Sequence, residues 1–257
     1  MKKRIIIFLV AIVMTSFLTI SANARTFTFA DHNFYDTDWT LITQELGNGG
    51  NIVATHVPPF LPPSIVNNFR SITNSVNAGA GSSVWGFHLK NSAIYYPTTQ
   101  GAIEFIEYSE RSIMFSGFGE GQATGPALLQ KGKQYFSYYP NTGGFFANTS
   151  DWTNKTFFPM VQLHFWTLSD PNDHPDFSST AAPITFGFFR ANSNGPNDFA
   201  YSIIAGIDDW SVSVNTIPEP STILLLGSGL MGLAGVRRKL QKRTRNGFLP
   251  LQCFVLI

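Results

Sequence analysis

The sequence predicts an all-β protein: a single β-sandwich or jelly-roll domain between two targeting segments. Candidate strands in the central region are short, rich in Phe, Tyr, Ile, Val and Thr, and separated by Gly, Asn, Pro and Asp clusters. Because no stretch there keeps a capped 3.6-residue period, helices should be few. The pattern is clearest at the end of the domain, where Trp210, Val212 and Val214 alternate with Ser211 and Ser213. Asp208 is in phase with Trp210, so the same alternation predicts that these two side chains share a face.

The first 24 residues have the three parts of a secretory signal peptide. A basic start at residues 1–4 precedes an apolar run at 5–20, and Ala22 and Ala24 form a small-x-small cleavage site. We expect cleavage after Ala24. The alternative is an uncleaved anchor, for which the apolar run is near the lower limit of length.

The region from 25 to 216 contains 192 residues, enough for one all-β domain with a sizeable core. It has eight basic and fifteen acidic residues, a net charge of −7, which excludes a nucleic-acid surface. The only cysteine, Cys253, lies outside it. Disulfides, zinc-cysteine sites and thiol chemistry are therefore excluded from the domain.

Ten strands are predicted within this domain. Phe27 and Phe29 alternate with polar neighbours in the first, and the glycine-rich turn at 47–50 ends the second. The passage 58–63 has too many prolines for a central strand and predicts an extended connection. The predicted strands are 25–31, 39–46, 65–76, 84–89, 101–108, 112–118, 133–139, 157–168, 183–191 and 200–214.

Three adjoining features follow the domain at residues 217–245. Pro218, Glu219 and Pro220 are held extended by the two proline rings. The uncharged run 221–236 would span about 24 Å as a helix, short for a hydrocarbon core of about 30 Å. We predict a short transmembrane helix there, with Arg237 and Arg238 beginning a basic cluster on its cytoplasmic side.

This order of parts resembles the PEP-CTERM sorting signal of Gram-negative bacteria. The resemblance implies recognition by exosortase, a precursor anchored in the inner membrane, and delivery to the cell surface or extracellular matrix. It also suggests an exopolysaccharide-producing, biofilm-forming source. A plain C-terminal anchor is the alternative. Residues 246–257 depart from the pattern, because they add an apolar tail where family members usually stop.

The end of the domain has a weaker resemblance. Residues 186–190 and 206–212 look like the closing strands of concanavalin-like and carbohydrate-binding jelly rolls. In such modules a structural calcium is often bound by an acid from the last strand and one near the first, here Asp208 and Asp31. The alternative is that these acids are solvated at strand ends, since calcium needs six to eight oxygen ligands.

The sequence offers no positive support for an enzyme. The five histidines are scattered, and no nucleophile elbow or phosphate-binding glycine loop occurs. Glu104 and Glu107 would lie on opposite faces of a strand, so they could not flank one glycosidic bond. No cofactor is expected apart from the possible calcium.

Aromatic residues near turns are the remaining candidates for ligand binding. Tyr95, Tyr96 and Trp152 lie beside Pro, Asn and Thr residues, where a ring can remain exposed. The expected function is a non-catalytic structural or adhesive protein of the cell surface. A lectin-like module for exopolysaccharide is the first alternative, and a polysaccharide hydrolase is the second.

Overall fold

The computed structural model describes residues 24–59, 68–118, 121–138, 146–195 and 199–217, all within the unit Ala24–Ile217. These ranges form one helical turn, α1 (Pro97–Gln100), and two 3-10 turns, Asp36–Asp38 and Gln162–His164. Their strands are β1 (Thr26–Asp31), β2 (Trp39–Leu46), β3 (Gly50–Val57), β4 (Phe69–Val76), β5 (Ser83–Tyr95), β6 (Ile103–Ser116), β7 (Gln122–Gln130), β8 (Lys133–Phe136), β9 (Phe146–Ala147), β10 (Thr153–Met160), β11 (Ile184–Ser193) and β12 (Tyr201–Thr216).

The strands make two antiparallel sheets. Sheet A has the order β10-β6-β12-β4-β3, and β1 also pairs with β12. Sheet B has the order β2-β5-β11-β7-β8, with β9 added to β7. The predicted all-β sandwich is confirmed by this architecture.

Strand β12 organises sheet A. Its first half pairs with β4, its second half pairs with β1, and β6 lies along its other edge. Trp210, Val212 and Val214 are buried, while Ser211 and Ser213 are half-buried on the opposite face. The predicted alternation is therefore confirmed.

A β-bulge interrupts that alternation just before Trp210. Asp208 is paired with Arg111, but Ser211 is paired with Ser109, so β12 has one extra residue at this point. Asp209 has a left-handed backbone, with φ of 48°. The extra residue turns Asp208 to the outer face beside Arg111, and the expectation that Asp208 shares a face with Trp210 is wrong.

The space between the sheets contains a large apolar cluster. Phe34, Trp39, Phe188 and Trp210 meet at its centre, and Trp39 lies 5.1 to 5.4 Å from each of the other three rings. Aromatic pairs at such distances contribute packing beyond their buried area. These rings hold both sheets together near the bulge.

A buried ion pair joins the sheets elsewhere in the interior. Arg190 Nη2 on β11 lies 3.3 Å from Glu110 Oε1 on β6, and both side chains are fully buried. Tyr108 and Ser112 donate hydroxyl hydrogen bonds to Glu110, and Thr124 Oγ1 lies 2.9 Å from each carboxylate oxygen. Burial, followed by the charge of Glu110, raises the pKa of Tyr108 well above its ordinary value.

Most strand predictions are close, but 157–168 is wrong beyond Met160, where β10 ends and the 3-10 turn Gln162–His164 follows. Predicted strands 101–108 and 112–118 form the single strand β6, while β3, β7 and β9 were not predicted. The signal peptide, the helix 221–236 and the tail 246–257 lie outside the described residues, apart from Ala24. Among the helices that are described, none is long and apolar enough to cross a membrane.

Candidate functional site

Three aromatic side chains form an exposed group on the outer face of sheet A. This aromatic triad consists of Phe69 at the start of β4, Phe115 near the end of β6, and Trp152 just before β10. The ring centroids are 5.3 Å apart for Phe69 and Phe115, 5.6 Å for Phe69 and Trp152, and 6.2 Å for Phe115 and Trp152. Phe115 is 47% exposed, and the other two are half-buried.

A glycine on β12 lets the triad lie close to the sheet. Gly206 is paired with Ser71 on β4 and Ile113 on β6. A Cβ atom at Gly206 would be 2.9 Å from Phe115 Cε2 and 3.0 Å from Trp152 Cη2. Only a residue without a side chain therefore fits under these rings in their present positions.

A row of charged side chains runs along one side of the triad. Arg111 lies over Trp152, with its Cζ 5.6 Å from the ring centroid, in a cation–π contact. Its Nη1 is 3.2 Å from Asp209 Oδ2, and Asp209 Oδ1 is 2.8 Å from His32 Nδ1. Desolvation raises the pKa of Asp209, but hydrogen bonds from His32 and Arg111 outweigh it and lower the pKa below its ordinary value.

Hydroxyl groups cover much of the remaining outer face. Ser109 Oγ is 2.8 Å from Ser211 Oγ, and Thr28 Oγ1 is 3.0 Å from Ser213 Oγ. A further pair, Ser75 and Ser202, is 2.7 Å apart. Apolar rings beside hydroxyl, guanidinium and carboxylate groups can bind a ligand that has both C–H faces and polar edges.

The structure separates the three aromatic residues predicted to bind ligand. Trp152 belongs to the triad, whereas Tyr96 is 47% exposed and follows the end of β5 in sheet B. Tyr95 is fully buried, its hydroxyl donates to Gly101 O at 2.9 Å, and burial raises its pKa to about 12. The expectation of an exposed ring at Tyr95 is wrong, because β5 continues to this residue and its ring packs against Phe27.

Phe69 and Phe115 are not among the residues that the sequence predicts to bind ligand. A signal existed for Phe115, because Arg111, Ile113 and Phe115 share one face if β6 is a continuous strand. The predicted break between strands 101–108 and 112–118 hides that signal. No sequence pattern indicates that Phe69 and Trp152 are close to Phe115.

The predicted calcium ligand Asp31 is surrounded by hydrogen-bond donors. Its Oδ1 accepts from the backbone N–H of Asn33 at 2.8 Å and of Phe34 at 3.1 Å. Its Oδ2 accepts from Trp39 Nε1 at 2.8 Å and from Lys90 Nζ at 2.6 Å. Burial raises the pKa of Asp31, but these hydrogen bonds, with Lys90 first, lower it overall. An ammonium group already lies where a cation would bind.

The second predicted ligand, Asp208, does not share a face of the sheet with Asp31. Asp31 is paired with Trp210 and contacts the interior, whereas the bulge places Asp208 on the outer face with Arg111. In the described ranges, no three His, Cys, Asp or Glu side chains are grouped so that they could hold a metal. The geometry therefore does not favour one calcium ion bound by both carboxylates.

The sorting segment is identified by comparison with known protein families. Residues 216–239 match the model of the PEP-CTERM protein-sorting motif. The chain carries a PEP-CTERM sorting motif. The match contains all five predicted sorting residues, which are Pro218, Glu219, Pro220, Arg237 and Arg238. The motif implies an exported protein whose membrane-anchored precursor is processed by exosortase.

The PEP-CTERM motif begins at the last residue of β12. Thr216 donates its backbone N–H to Arg25 O at 3.0 Å, and Arg25 N donates to Thr216 Oγ1 at 3.0 Å. Both ends of the folded domain are thus paired next to the start of the motif.

No curated protein matches the chain. Among solved structures, the xylan-binding domain from Paenibacillus barcinonensis is similar at 8% identity, covering 74% of this chain and 94% of that one, with a TM-score of 0.37. A protein of unknown function from Shewanella oneidensis has 14% identity over 79% of this chain and 92% of that one, with a TM-score of 0.36. TM-scores this low establish no shared function.

Proposed function

We propose that the chain is an exported, non-catalytic protein of the cell surface or extracellular matrix that adheres to polysaccharide through the aromatic triad. The observation that carries this proposal is the triad itself, three contacting rings that remain partly exposed on the face of a sheet. Isolated exposed rings are ordinary at protein surfaces, whereas contiguous exposed apolar groups mark interaction sites. The PEP-CTERM motif supports the location, because it implies export.

The chemistry beside the triad favours a neutral polysaccharide. Pyranose rings have C–H faces that pack on aromatic rings and hydroxyl edges that need hydrogen-bond partners. Arg111 is already paired with Asp209, so it offers N–H donors without an uncompensated positive charge. The net charge of −7 in region 25–216 also repels a polyanion.

The absence of catalysis is part of the proposal. A glycoside hydrolase needs two carboxyl groups about 5 to 9.5 Å apart beside the scissile bond. Glu110, the buried carboxylate of β6, is paired with Arg190 and hydrogen-bonded by three hydroxyl groups. It is therefore engaged in holding the sheets together.

Retention of the protein in gels containing neutral polysaccharides tests the proposal. Trp152→Ala should weaken retention about tenfold, because it removes an aromatic surface for the sugar ring and the cation–π contact that positions Arg111. Tyr96→Ala provides the matched control, since it removes an exposed ring that lies apart from the triad, and it should bind like wild type. Retention that depends on Tyr96 and is insensitive to Trp152 would show that the site is wrongly placed.

A further inference from the structure

We propose that Lys90 and Asp31 form an intramolecular amide bond that joins the two sheets covalently. Lys90 Nζ lies 2.6 Å from Asp31 Oδ2, and only 10% and 5% of the two side chains are exposed. An amine held in contact with a carboxyl group in one orientation reacts as if both were at very high concentration. The two residues therefore have the proximity that amide formation needs.

The surroundings of this pair are largely apolar and leave little of the two side chains in contact with water. Phe34, Trp39 and Trp210 are buried beside it, and Lys90 Nζ is 5.6 Å from the centroid of a Trp39 ring. Low polarity strengthens the contact between the ammonium and the carboxylate, which holds the two groups together. A dry site also favours condensation, because water is a product of the reaction.

Asp38 is placed to accept a proton from the amine. Its Oδ2 is 3.0 Å from Lys90 Nζ, and 45% of its side chain is exposed. Asp38 precedes β2 and contacts the same nitrogen as Asp31. A second carboxylate at hydrogen-bond distance from the nucleophile is the arrangement expected of a general base.

Two backbone N–H groups are directed at the other oxygen of Asp31. Asn33 and Phe34 donate to Oδ1, and Phe34 has a left-handed φ of 53°. When the amine attacks, negative charge develops on Oδ1, and preformed N–H donors stabilise such an oxyanion. Asp31 Oδ2, next to Lys90 and Trp39, is the oxygen that leaves.

The reaction is balanced without another reactant. Lys90 transfers one proton to Asp38, and its nitrogen lone pair forms the C–N bond to Asp31 Cγ. The Cγ–Oδ2 bond then breaks, and Oδ2 leaves as water after receiving the proton held by Asp38 and a second proton from the nitrogen. One ammonium and one carboxylate become one amide and one water molecule, and Asp38 is restored.

The bond would connect parts of the chain that have no disulfide. Asp31 ends β1 in sheet A, and Lys90 belongs to β5 in sheet B, 59 positions further along. Region 25–216 contains no cysteine. The amide would be a covalent cross-link that does not depend on redox conditions, and it is independent of the proposed polysaccharide binding.

Another lysine–carboxylate pair in the same chain serves as an internal control. Lys133 Nζ lies 2.7 Å from Asp173 Oδ2, nearly the same distance, but 57% of the lysine side chain is exposed. In water the charged forms are favoured, so this pair should stay an ordinary ion pair. Comparison of the two lysines separates a specific bond from an artefact of heating or digestion.

Mass spectrometry of the denatured full-length chain tests the proposal. The wild-type chain should have the mass calculated from its sequence minus one water molecule. Lys90→Met, which cannot form the amide, should have the full mass calculated from its own sequence. Trypsin should fail to cleave after Lys90 and should yield a branched peptide joining 26–70 to 71–111, while cleavage after Lys133 stays complete. A full sequence mass, with normal cleavage after Lys90, would overturn the proposal even if every variant failed to fold.

Asp38→Asn tests the role of the second carboxylate. Loss of a general base should slow formation of the branched peptide by about 100-fold or more. Asp31→Ala should abolish the branched peptide. A branched peptide that forms as fast in Asp38→Asn as in wild type would overturn the role of Asp38, and one that persists in Asp31→Ala would overturn the assignment of the bond.

Discussion

The outer faces of the two sheets both contain aromatic residues but use them differently. On sheet B, Phe87, Phe136 and Phe189 are buried, and Phe136 contacts both Trp85 and Trp166 at 4.9 to 5.4 Å. On sheet A, the triad of Phe69, Phe115 and Trp152 is only partly covered. Aromatic content alone therefore does not distinguish a structural cluster from a binding surface.

The two faces differ because a later segment of the chain packs over the outer face of sheet B. Phe136 exchanges two backbone hydrogen bonds with Trp166, at 3.1 and 3.2 Å, so a segment beyond β10 adds to that edge of the sheet. Its side chains, with Tyr138, close over the rings of sheet B. Sheet A instead has a glycine under its rings and polar side chains around them.

The largest expected effect is on stability, which should depend much more on the rings of sheet B than on those of sheet A. Phe136→Ala should lower the free energy of unfolding by about 3 to 5 kcal/mol, because it opens a cavity in a packed cluster. Trp152→Ala should cost much less, since its ring is already half-exposed. Thermal and urea unfolding of both variants measures this difference.

The same two substitutions should affect polysaccharide binding in the opposite order. Below its unfolding temperature, Phe136→Ala should keep the polysaccharide retention of wild type, whereas Trp152→Ala should weaken it about tenfold. Equal destabilisation by the two substitutions would mean that the triad is a structural cluster like that of sheet B.

A smaller effect is expected at the glycine beneath the triad. Gly206→Ala places a Cβ 2.9 to 3.0 Å from atoms of Phe115, Ile113 and Trp152, so the side chains must shift. Such overpacking typically costs about 1 to 3 kcal/mol, and the value should be at the low end because flexible side chains can yield. Ala205→Gly, on the inner face, is the control for backbone entropy.

Gly206→Ala should also weaken polysaccharide retention, because the rings of the triad would be displaced. Tryptophan fluorescence should report a change around Trp152. Unchanged retention together with an unchanged spectrum would mean that the arrangement of the rings does not determine binding.

The all-β class and much of the strand pattern could be predicted from the sequence, because both depend on local periodicity. The alternation of Trp210 and Val212 with serines is one example. Periodicity fails where a residue is inserted, and the bulge at Asp209 reversed the predicted face of Asp208. Periodicity also does not tell which side chains are buried by other parts of the chain. Tyr95, predicted to be exposed, is buried for this reason.

The candidate site was only partly predictable for a related reason. Turn residues around Trp152 predict an exposed ring there, whereas Phe69 and Phe115 belong to strands far apart in the sequence. Their meeting depends on the pairing of β4 and β6 with β12 and on Gly206 between them. The contact between Asp31 and Lys90 likewise depends on how the two sheets face each other, about which the sequence carries no local signal.

The smallest expected effect lies beside the triad, where two neighbouring carboxylates should respond oppositely to pH. Desolvation raises the pKa of Asp208 above 3.8, and the charge of Asp209 adds to it. The folded state therefore loses stability as pH rises through that raised pKa. Asp208→Asn should stabilise the protein at pH 7 by less than about 1 kcal/mol, because a buried charge is removed.

Asp209→Asn is the matched control, because the pKa of Asp209 is lowered by His32 and Arg111 despite partial burial. Asp209 contributes stability above pH 3.8 and loses it as pH falls through its lowered pKa. Its asparagine variant should therefore be less stable than wild type at pH 7, and asparagine tolerates the left-handed backbone there. Thermal unfolding at pH values from 7 down to about 2 should show both variants approaching wild type as the pH falls and diverging from it in opposite directions at neutral pH. Divergence in the same direction would mean that the bulge conformation, and not charge, decides the stability of this edge of the triad.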